Sequence, residues 1–242
     1  MLSVSSACGI NRVSKHQIEE FMYNPDKLII RPATMDDVEF IATTIIEAEK
    51  SSTDKIGPAN YFELSEEDYR KYLIQMLEEE IDGCELSISS FVVAEYEGVV
   101  IAARGGWLEG DNEDNAPSSV LKSNLFAYYL PKENLLKGQS KYDIVKDIMI
   151  ERDMGAYQFE NSYTIPAFRG HHILALLDNW HFNIATEKGA NKVQAVVCKG
   201  NEKSIKARQR SGFHTVKSFT SHHPLIREYY PDDTLLLMER DI

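Results

Sequence analysis

The sequence has few cysteines, no long apolar run and a shortage of basic residues, and each shortage excludes a class of protein. The three cysteines, Cys8, Cys84 and Cys198, lie far apart and form no CxxC pair. An odd, scattered set favours free thiols in a reducing compartment, not a disulfide framework or a thiolate metal site. No apolar stretch approaches the roughly 20 residues of a membrane span. Residues 1–8 lack the basic start and long apolar run of a secretory leader, so we expect a cytoplasmic protein.

The balance of charge argues against polyanionic macromolecules and surfaces as partners. The chain has 242 residues, with 26 Lys and Arg against 38 Asp and Glu, and a net charge of −12. Such acidity argues against non-specific binding of nucleic acid or of an anionic membrane, so we expect neither as a partner. The 43% of hydrophobic residues is enough for a sizeable core in one large domain or two small ones.

One segment departs from this acidity. Residues 166–220 contain nine Lys or Arg and three Asp or Glu, which gives a local net charge of +6. A basic segment inside an acidic chain indicates a polyanionic ligand. The alternative is a single exposed, lysine-rich helix.

The basic segment begins at a strand, a tight turn and a helix. Residues Tyr157–Thr164 alternate as a strand does, Pro166 starts a turn, and Arg169-Gly170 precedes a helix with apolar residues from Ile173 onward. The first amides of a helix lack internal partners and carry the positive end of its dipole. The pattern therefore predicts a phosphate-binding turn.

A second helix is predicted over residues 201–213, and it ends in Gly212-Phe213. Together the two segments resemble the acyl-CoA-binding half of the GNAT family, the Gcn5-related N-acetyltransferases. The positions that fit the family pattern are Pro166, Arg169, Gly170, Ile173, Asn201, Ser204, Gly212 and Phe213. Three positions depart from it. His172 and Leu174 stand where the family prefers Gly or Ala, and Arg208 stands where many members have a tyrosine that acts as general acid.

The N-terminal half is similar to the start of GNAT proteins. A strand over 28–32 leads into a helix that Thr34 caps and that continues to Lys50. Further predicted elements are a helix over 65–81, a hairpin over 90–104 and strands over 192–198, 213–219 and 234–239. The organisation we expect is an N-terminal extension over 1–27 with a short helix at 14–22, then an acyltransferase domain over 28–242. An insertion over 109–154, helical at 117–130 and 141–152, would cover the acceptor site or form a homodimer contact.

The resemblance implies an α+β fold of the GNAT type, with a twisted, mostly antiparallel central sheet of about six or seven strands flanked by helices. The implied function is an N-acyltransferase that transfers an acetyl group from acetyl-CoA to a primary amine of a small molecule or peptide. The acidic residues Glu109, Asp111, Glu113 and Asp114 would suit a cationic acceptor. The alternative is a catalytically silent CoA-binding or interaction module on the same fold, which the missing tyrosine favours.

The resemblance also implies site residues. Cofactor contacts are expected at Thr164, Ile165, Arg169, Gly170, His171, His172, Ile173, Leu174, Asn201, Ser204 and Arg208. Asn201 suits an N-cap equally well, and the two roles are compatible. A backbone amide near 163–165 would bind the oxyanion, and Arg208, which cannot act as an acid at neutral pH, would bind a CoA phosphate.

Glu160 and Tyr163 are the expected catalytic residues. Strand alternation would place Glu160 on one face with Ser162 and Thr164, and Tyr163 on the other. Burial beside aromatic rings would raise the pKa of the Glu160 carboxyl and suit it to act as a base. The alternative is an exposed strand glutamate. Adjacent histidines on a helix do not converge on one point, so no metal site is expected.

Overall fold

The structure is a computed structural model that describes residues 23–242. The helix predicted over 14–22 lies outside the described residues. The strands are β1 (Leu28–Pro32), β2 (Phe91–Tyr96), β3 (Val99–Leu108), β4 (Tyr157–Thr164), β5 (Lys192–Cys198), β6 (His214–Thr220) and β7 (Thr234–Asp241). The helices are α1 (Val38–Lys50), α2 (Gly57–Phe62), α3 (Glu66–Leu77), α4 (Ser118–Tyr129), α5 (Lys132–Ser140), α6 (Tyr142–Val145), α7 (Ile173–Glu187), α8 (Glu202–Arg210) and α9 (Ile226–Tyr229).

One seven-stranded sheet organises these elements in the order β1-β2-β3-β4-β5-β7-β6. Every neighbouring pair is antiparallel except β4 and β5, which run parallel and are joined through α7. The predicted α+β fold with a mostly antiparallel sheet of six or seven strands is confirmed.

The sheet is covered on both faces. Helices α1, α3 and α4 pack against the first face, where Ile41, Ile45, Leu73 and Phe126 are buried. Helices α7 and α8 cover the second face. This arrangement buries the apolar stripes of α1 and α7 against the sheet and those of α3 and α4 against neighbouring helices, and the burial supplies most of the stabilisation of the fold.

The helix starts follow the capping signals in the sequence. Thr34 and Asp37 form a capping box before α1, and the Asp37 carboxylate also binds Arg31 at 2.7 Å. The Ser65 side chain accepts from the amide of Asp68 at the start of α3. Helix α3 ends at Leu77 and not near residue 81 as predicted, because the chain turns there and Glu80 adopts a left-handed conformation, with φ of 51°.

The segment 109–154 differs from its prediction. Helix α4 is present where 117–130 was expected, but α5 was not foreseen, and the helix predicted over 141–152 is wrong. Helix α6 ends at Val145, a short 3-10 turn follows, and the backbone becomes extended at Met149. The physical reason is tertiary: Ile148 is buried against Ile226, and the extended chain brings Arg152 to an ion pair on the first face. Contacts remote in sequence thus override the local helical pattern.

Candidate functional site

The turn before α7 presents a row of unpaired backbone amides. Gly170 and His172 both have positive φ, 90° and 59°, and this turns successive N–H groups to the same side. The amides of residues 170–174 donate to none of the described residues, whereas the Arg169 amide donates to the Pro166 carbonyl. Five amides without a partner among the described residues, at the start of a 15-residue helix, are suited to bind an anion.

The side chains of this turn explain how it tolerates residues larger than glycine. The His171 ring packs against Tyr23 with the two planes tilted by 30° and centroids 4.3 Å apart, and Ile173 is buried under the second face. Leu174 packs at the edge of the same cluster, and His172 is exposed. The backbone of the turn therefore stays accessible although only Gly170 lacks a side chain.

Arg169 is tied to the end of β4. Its Nε donates to the Thr164 carbonyl at 3.0 Å, and its guanidinium lies 5.8 Å from the centre of the Tyr163 ring. The side chain remains exposed, so its positive charge lies beside the free amides. The Arg169 side chain thus links the turn before α7 to Thr164 at the end of β4.

Strands β4 and β5 separate beyond their first three residues. Only Tyr157–Phe159 pairs with β5, so the rest of β4 has no neighbour on that side, and we call this opening the splay. The Ile165 amide is occupied, because it donates to the Ile101 carbonyl at 2.9 Å. In an antiparallel ladder the hydrogen-bonded pairs alternate, so the Thr164 amide points away from β3 and into the splay. Of the three residues expected to supply an oxyanion donor, Thr164 has the suitable orientation.

A bulge changes the faces predicted for β4. Glu160 pairs with Gly105 and Ser162 pairs with Arg104, so Asn161 is an extra residue, and its φ of 44° is left-handed. The predicted grouping of Glu160 with Ser162 and Thr164 is therefore wrong. Glu160 and Tyr163 share the first face, where the Tyr163 ring lies 6.1 Å from that of Phe40 on α1, whereas Ser162 lies on the second face.

Asn201 caps α8. Its Oδ1 accepts from the Ser204 amide at 3.1 Å, and its Nδ2 donates to the Ser51 hydroxyl at 3.1 Å. The second contact joins the end of α1 to the end of β5. Beside it lies a cavity of about 650 Å³, and this cavity is lined by Ser51, Ser52, Thr53, Cys198, Lys199, Gly200, Asn201, Arg227, Pro231, Asp232 and Asp233.

Arg208 has internal partners instead of an exposed position at the turn. Its Nη1 lies 3.5 Å from Asp178 Oδ2, and its guanidinium packs over the rings of Phe159 and Phe213. Arg104 Nη2 lies 2.9 Å from the other oxygen of Asp178. Two buried guanidinium groups thus share one carboxylate under the second face, a placement that points away from the phosphate contact expected of Arg208.

Charged side chains also lie inside the first face. Arg152 bridges Glu160 and Glu85, and the Arg152–Glu85 distance is 3.1 Å. Lys122 forms an ion pair with Glu85. Burial raises the pKa of the Glu160 carboxyl despite the attraction of Arg152. Burial also opposes ionisation of Glu85, but Lys122 and Arg152 together lower the pKa of that carboxyl.

Glu49 on α1 is the residue that sequence reasoning missed. Its Oε1 accepts from the Tyr69 hydroxyl at 3.0 Å, while its Oε2 is buried with no described partner. Burial raises the pKa of this carboxyl to about 7, and the charges of Glu85 and Glu160 act in the same direction. Nothing in the sequence distinguishes Glu49 from the other acidic residues of an amphipathic helix.

No group of three or more His, Cys, Asp or Glu side chains within residues 23–242 is placed to hold a metal ion. Burial raises the pKa of the Cys198 thiol. None of the helices in the described range is both long and apolar enough to cross a bilayer.

Comparison with known proteins identifies the fold of the chain through solved structures alone. No protein-family model and no curated protein sequence matches the chain. Among solved structures, an N-acetyltransferase from Staphylococcus aureus Mu50 superposes with a TM-score of 0.63 at 15% identity, covering 88% of this chain and 100% of that one. A GCN5-related N-acetyltransferase from Kribbella flavida matches with a TM-score of 0.51 at 16% identity, over 90% of this chain and all of the other. The chain has the GNAT fold. A Drosophila melanogaster polyamine N-acetyltransferase also shares it, with a TM-score of 0.52 at 12% identity, over 89% of this chain and 100% of that one.

The splay and the turn before α7 are both parts of this GNAT fold. The fold resemblance inferred from residues 28–108 and 155–242 is confirmed. The Thr164 amide and the amides of 170–174 lie at the end of β4 and the start of α7, Asn201 caps α8 after β5, and Arg208 turns inward to Asp178.

Proposed function

We propose that this chain is an acetyltransferase that moves the acetyl group of acetyl-CoA to a primary amine. The observation that carries the proposal is the row of free amides at 170–174 beside the exposed Arg169. Backbone N–H groups at a helix N-terminus bind phosphate oxygens, and a diphosphate with several charged oxygens matches such a row better than a single carboxylate does.

The residues present on both sides of the splay fit coenzyme A. The amides of 170–174 would hold the diphosphate, and Thr164 and Ile165 would border the pantetheine arm. Asn201 and Ser204 would lie on the β5 side, beside the cavity of about 650 Å³. When bound, acetyl-CoA supplies a thioester carbonyl that an amine can attack. The Thr164 amide would then stabilise the negative charge that develops on that carbonyl oxygen.

The acceptor would enter from the first face. There Glu49, Glu85 and Glu160 face Lys122 and Arg152, so the carboxylates outnumber the cations by one when all are ionised. An ammonium group would balance that charge, which favours a cationic amine over an acidic acceptor. Glu160 and Tyr163 share this face and are the residues that the sequence assigns to catalysis.

Calorimetric titration with acetyl-CoA and a coupled assay of thiol release test the proposal together. We expect micromolar binding of acetyl-CoA and at least tenfold weaker binding of S-acetylpantetheine, which lacks the nucleotide and its diphosphate. Amine-dependent thiol release should follow with 1,4-diaminobutane, agmatine, tyramine or an alanine-initiated tetrapeptide. Equal affinity for the two thioesters would remove the phosphate site from the turn.

A second candidate is a CoA-binding module without catalytic activity. Arg208, where many relatives have tyrosine, favours it, because a guanidinium paired with Asp178 cannot protonate a leaving thiolate. This candidate predicts acetyl-CoA binding with no thiol release for any amine, so the same two measurements distinguish the candidates.

A further inference from the structure

Helix α1 crosses the opening of the splay on the first face. At its beginning, Phe40 contacts Tyr163 near the end of β4. Just past its end, the Ser51 hydroxyl accepts from Asn201 at the end of β5. The C-terminal part of α1 therefore lies over the gap between the two strands, and Glu49 lies in that part, two residues before Ser51.

The carboxylates of the first face differ in their partners. Glu160 binds Arg152, and Glu85 binds both Arg152 and Lys122. Both carboxylates therefore already have a cationic partner at hydrogen-bonding distance, and that pairing lowers the pKa of Glu85, whereas burial still raises the pKa of Glu160. Glu49 has a hydroxyl on one oxygen and no described partner on the other, although Oε2 is buried. A buried polar atom without a partner is costly, and a role in binding or catalysis is one reason for a fold to retain it.

We propose that Glu49 is the group that accepts the proton of the acceptor amine. The inference rests on the proposed function. The Glu49 carboxylate takes a proton from the ammonium and leaves a neutral amine whose lone pair forms the C–N bond to the thioester carbonyl carbon. The C–S bond breaks, its electron pair stays on sulfur, and the second amine proton passes to that sulfur to give the free thiol. Glu49 then loses its proton to solvent.

The surroundings of Glu49 tune it for this role. The groups that face it are Tyr69 from α3, Glu85 before β2, Lys122 from α4, Glu160 from β4 and Tyr230 from the loop between β6 and β7. Burial and the two carboxylates favour the protonated form of Glu49, while Lys122 and the Tyr69 hydroxyl favour the anion. A base that titrates near neutral pH both accepts and releases its proton efficiently. Glu160 is then a positioning residue, whose charge holds Arg152 and acts on Glu49.

The first measurement compares pH–rate profiles of wild type, Glu49→Gln and Glu47→Gln. Glu47 is a matched control, because it is a carboxylate on the same helix whose ion pair with the half-buried Lys50 ammonium lies outside the Glu49 cluster. We expect Glu49→Gln to lose at least 100-fold in kcat/KM for the amine at pH 7 with acetyl-CoA affinity unchanged. The loss should shrink above pH 9, where the free amine no longer needs a base. Glu47→Gln should keep the wild-type profile.

Two further readouts keep the inference testable if Glu49→Gln is poorly active for other reasons. Tyr69→Phe removes the hydrogen bond that favours the Glu49 anion, so the acidic limb of the pH–rate profile should move to higher pH. Without any ligand, the melting temperature of Glu49→Gln should rise relative to wild type between pH 5 and pH 8. The reason is that wild-type Glu49 must ionise in a buried site over that range.

The outcomes separate the two proposals. A wild-type protein that neither binds acetyl-CoA nor releases thiol would overturn the proposed function, and the role of Glu49 with it. A wild type that transfers acetyl groups, with Glu49→Gln within threefold of it at pH 7 and no change in melting behaviour with pH, would overturn the role of Glu49 alone. A loss in Glu160→Gln that exceeds the loss in Glu49→Gln would assign the base to Glu160 instead.

Discussion

Arg208 and Asp178 form a buried ion pair between α8 and α7, with Nη1 3.5 Å from Oδ2. The second oxygen of Asp178 holds Arg104 at 2.9 Å, so one carboxylate balances two guanidinium groups. The Arg104 Nε is also buried without a described partner. This cluster fixes the packing of both helices on the second face and depends on a single negative charge.

Removing that charge should destabilise the protein strongly. Asp178→Asn keeps the shape of the side chain but leaves two buried guanidinium groups without a counterion, which should cost about 3–5 kcal/mol in the free energy of unfolding. Arg208→Met should cost less, about 2 kcal/mol or below, because Asp178 keeps Arg104 and the new side chain still packs on Phe213. Urea unfolding measures both. A change below 1 kcal/mol in Asp178→Asn, equal to that of the exposed control Asp54→Asn, would contradict the cluster's role.

The turn before α7 supports a prediction on binding. Arg169→Glu should weaken acetyl-CoA binding severalfold or more, because it places a negative charge beside the free amides of 170–174. Lys71→Glu on the exposed side of α3 changes the net charge equally and should leave the affinity within twofold. Calorimetry on both folded variants gives the comparison. The same affinity in Arg169→Glu and Lys71→Glu would place the diphosphate elsewhere.

Much of the fold could be predicted from local sequence patterns. Alternating apolar residues and the Thr34 and Ser65 caps define β1–β4, α1 and α3, because those signals act within a few residues. The bulge at Asn161 could not be foreseen, since an extra residue in β4 is set by its pairing with β3. That one residue reverses the face of Ser162 relative to Glu160, and so reassigns the lining of the site.

The candidate site was predictable only in its contiguous part. The turn at 170–174 is a local feature, and its residues were named from sequence alone. The carboxylates of the first face come from α1, the segment before β2 and β4. Of their partners, Lys122 lies on the predicted helix α4, whereas Arg152 lies in the segment where the helix predicted over 141–152 is wrong. The difference between Glu49 and Glu160 depends on which cation each one meets, and that is decided by tertiary structure.

Backbone conformation at the turn gives a stability prediction. Gly170 has φ of 90° with open space around it, so Gly170→Ala should cost about 1–2 kcal/mol through backbone strain alone. His172 already bears that strain at φ of 59°, and His172→Gly should change the free energy of unfolding by less than about 1 kcal/mol, as relief of strain offsets the greater freedom of the unfolded chain. Thermal unfolding at fixed pH compares the two variants. A larger loss in His172→Gly than in Gly170→Ala would mean that the imidazole itself supports the turn.

His181 should make stability depend on pH. It is buried on α7, where Nδ1 shares a hydrogen bond with the Tyr157 hydroxyl at 2.8 Å and Nε2 lies 3.0 Å from the Arg104 carbonyl. Burial lowers the pKa of His181 from 6.5 to about 4, so between these values the unfolded chain binds the additional proton. The stabilisation is therefore complete above pH 6.5 and is lost as the pH falls through 4, up to about 3 kcal/mol in the free energy of unfolding.

His181→Gln should flatten the slope of the free energy of unfolding against pH between pH 6.5 and pH 4, while His222→Gln, at an exposed histidine, should keep the wild-type slope. Urea unfolding at half-unit pH steps measures the three slopes. Parallel slopes in wild type and His181→Gln would show that His181 is already protonated in the folded protein over this range. That result would contradict a neutral His181 imidazole between Tyr157 and Arg104.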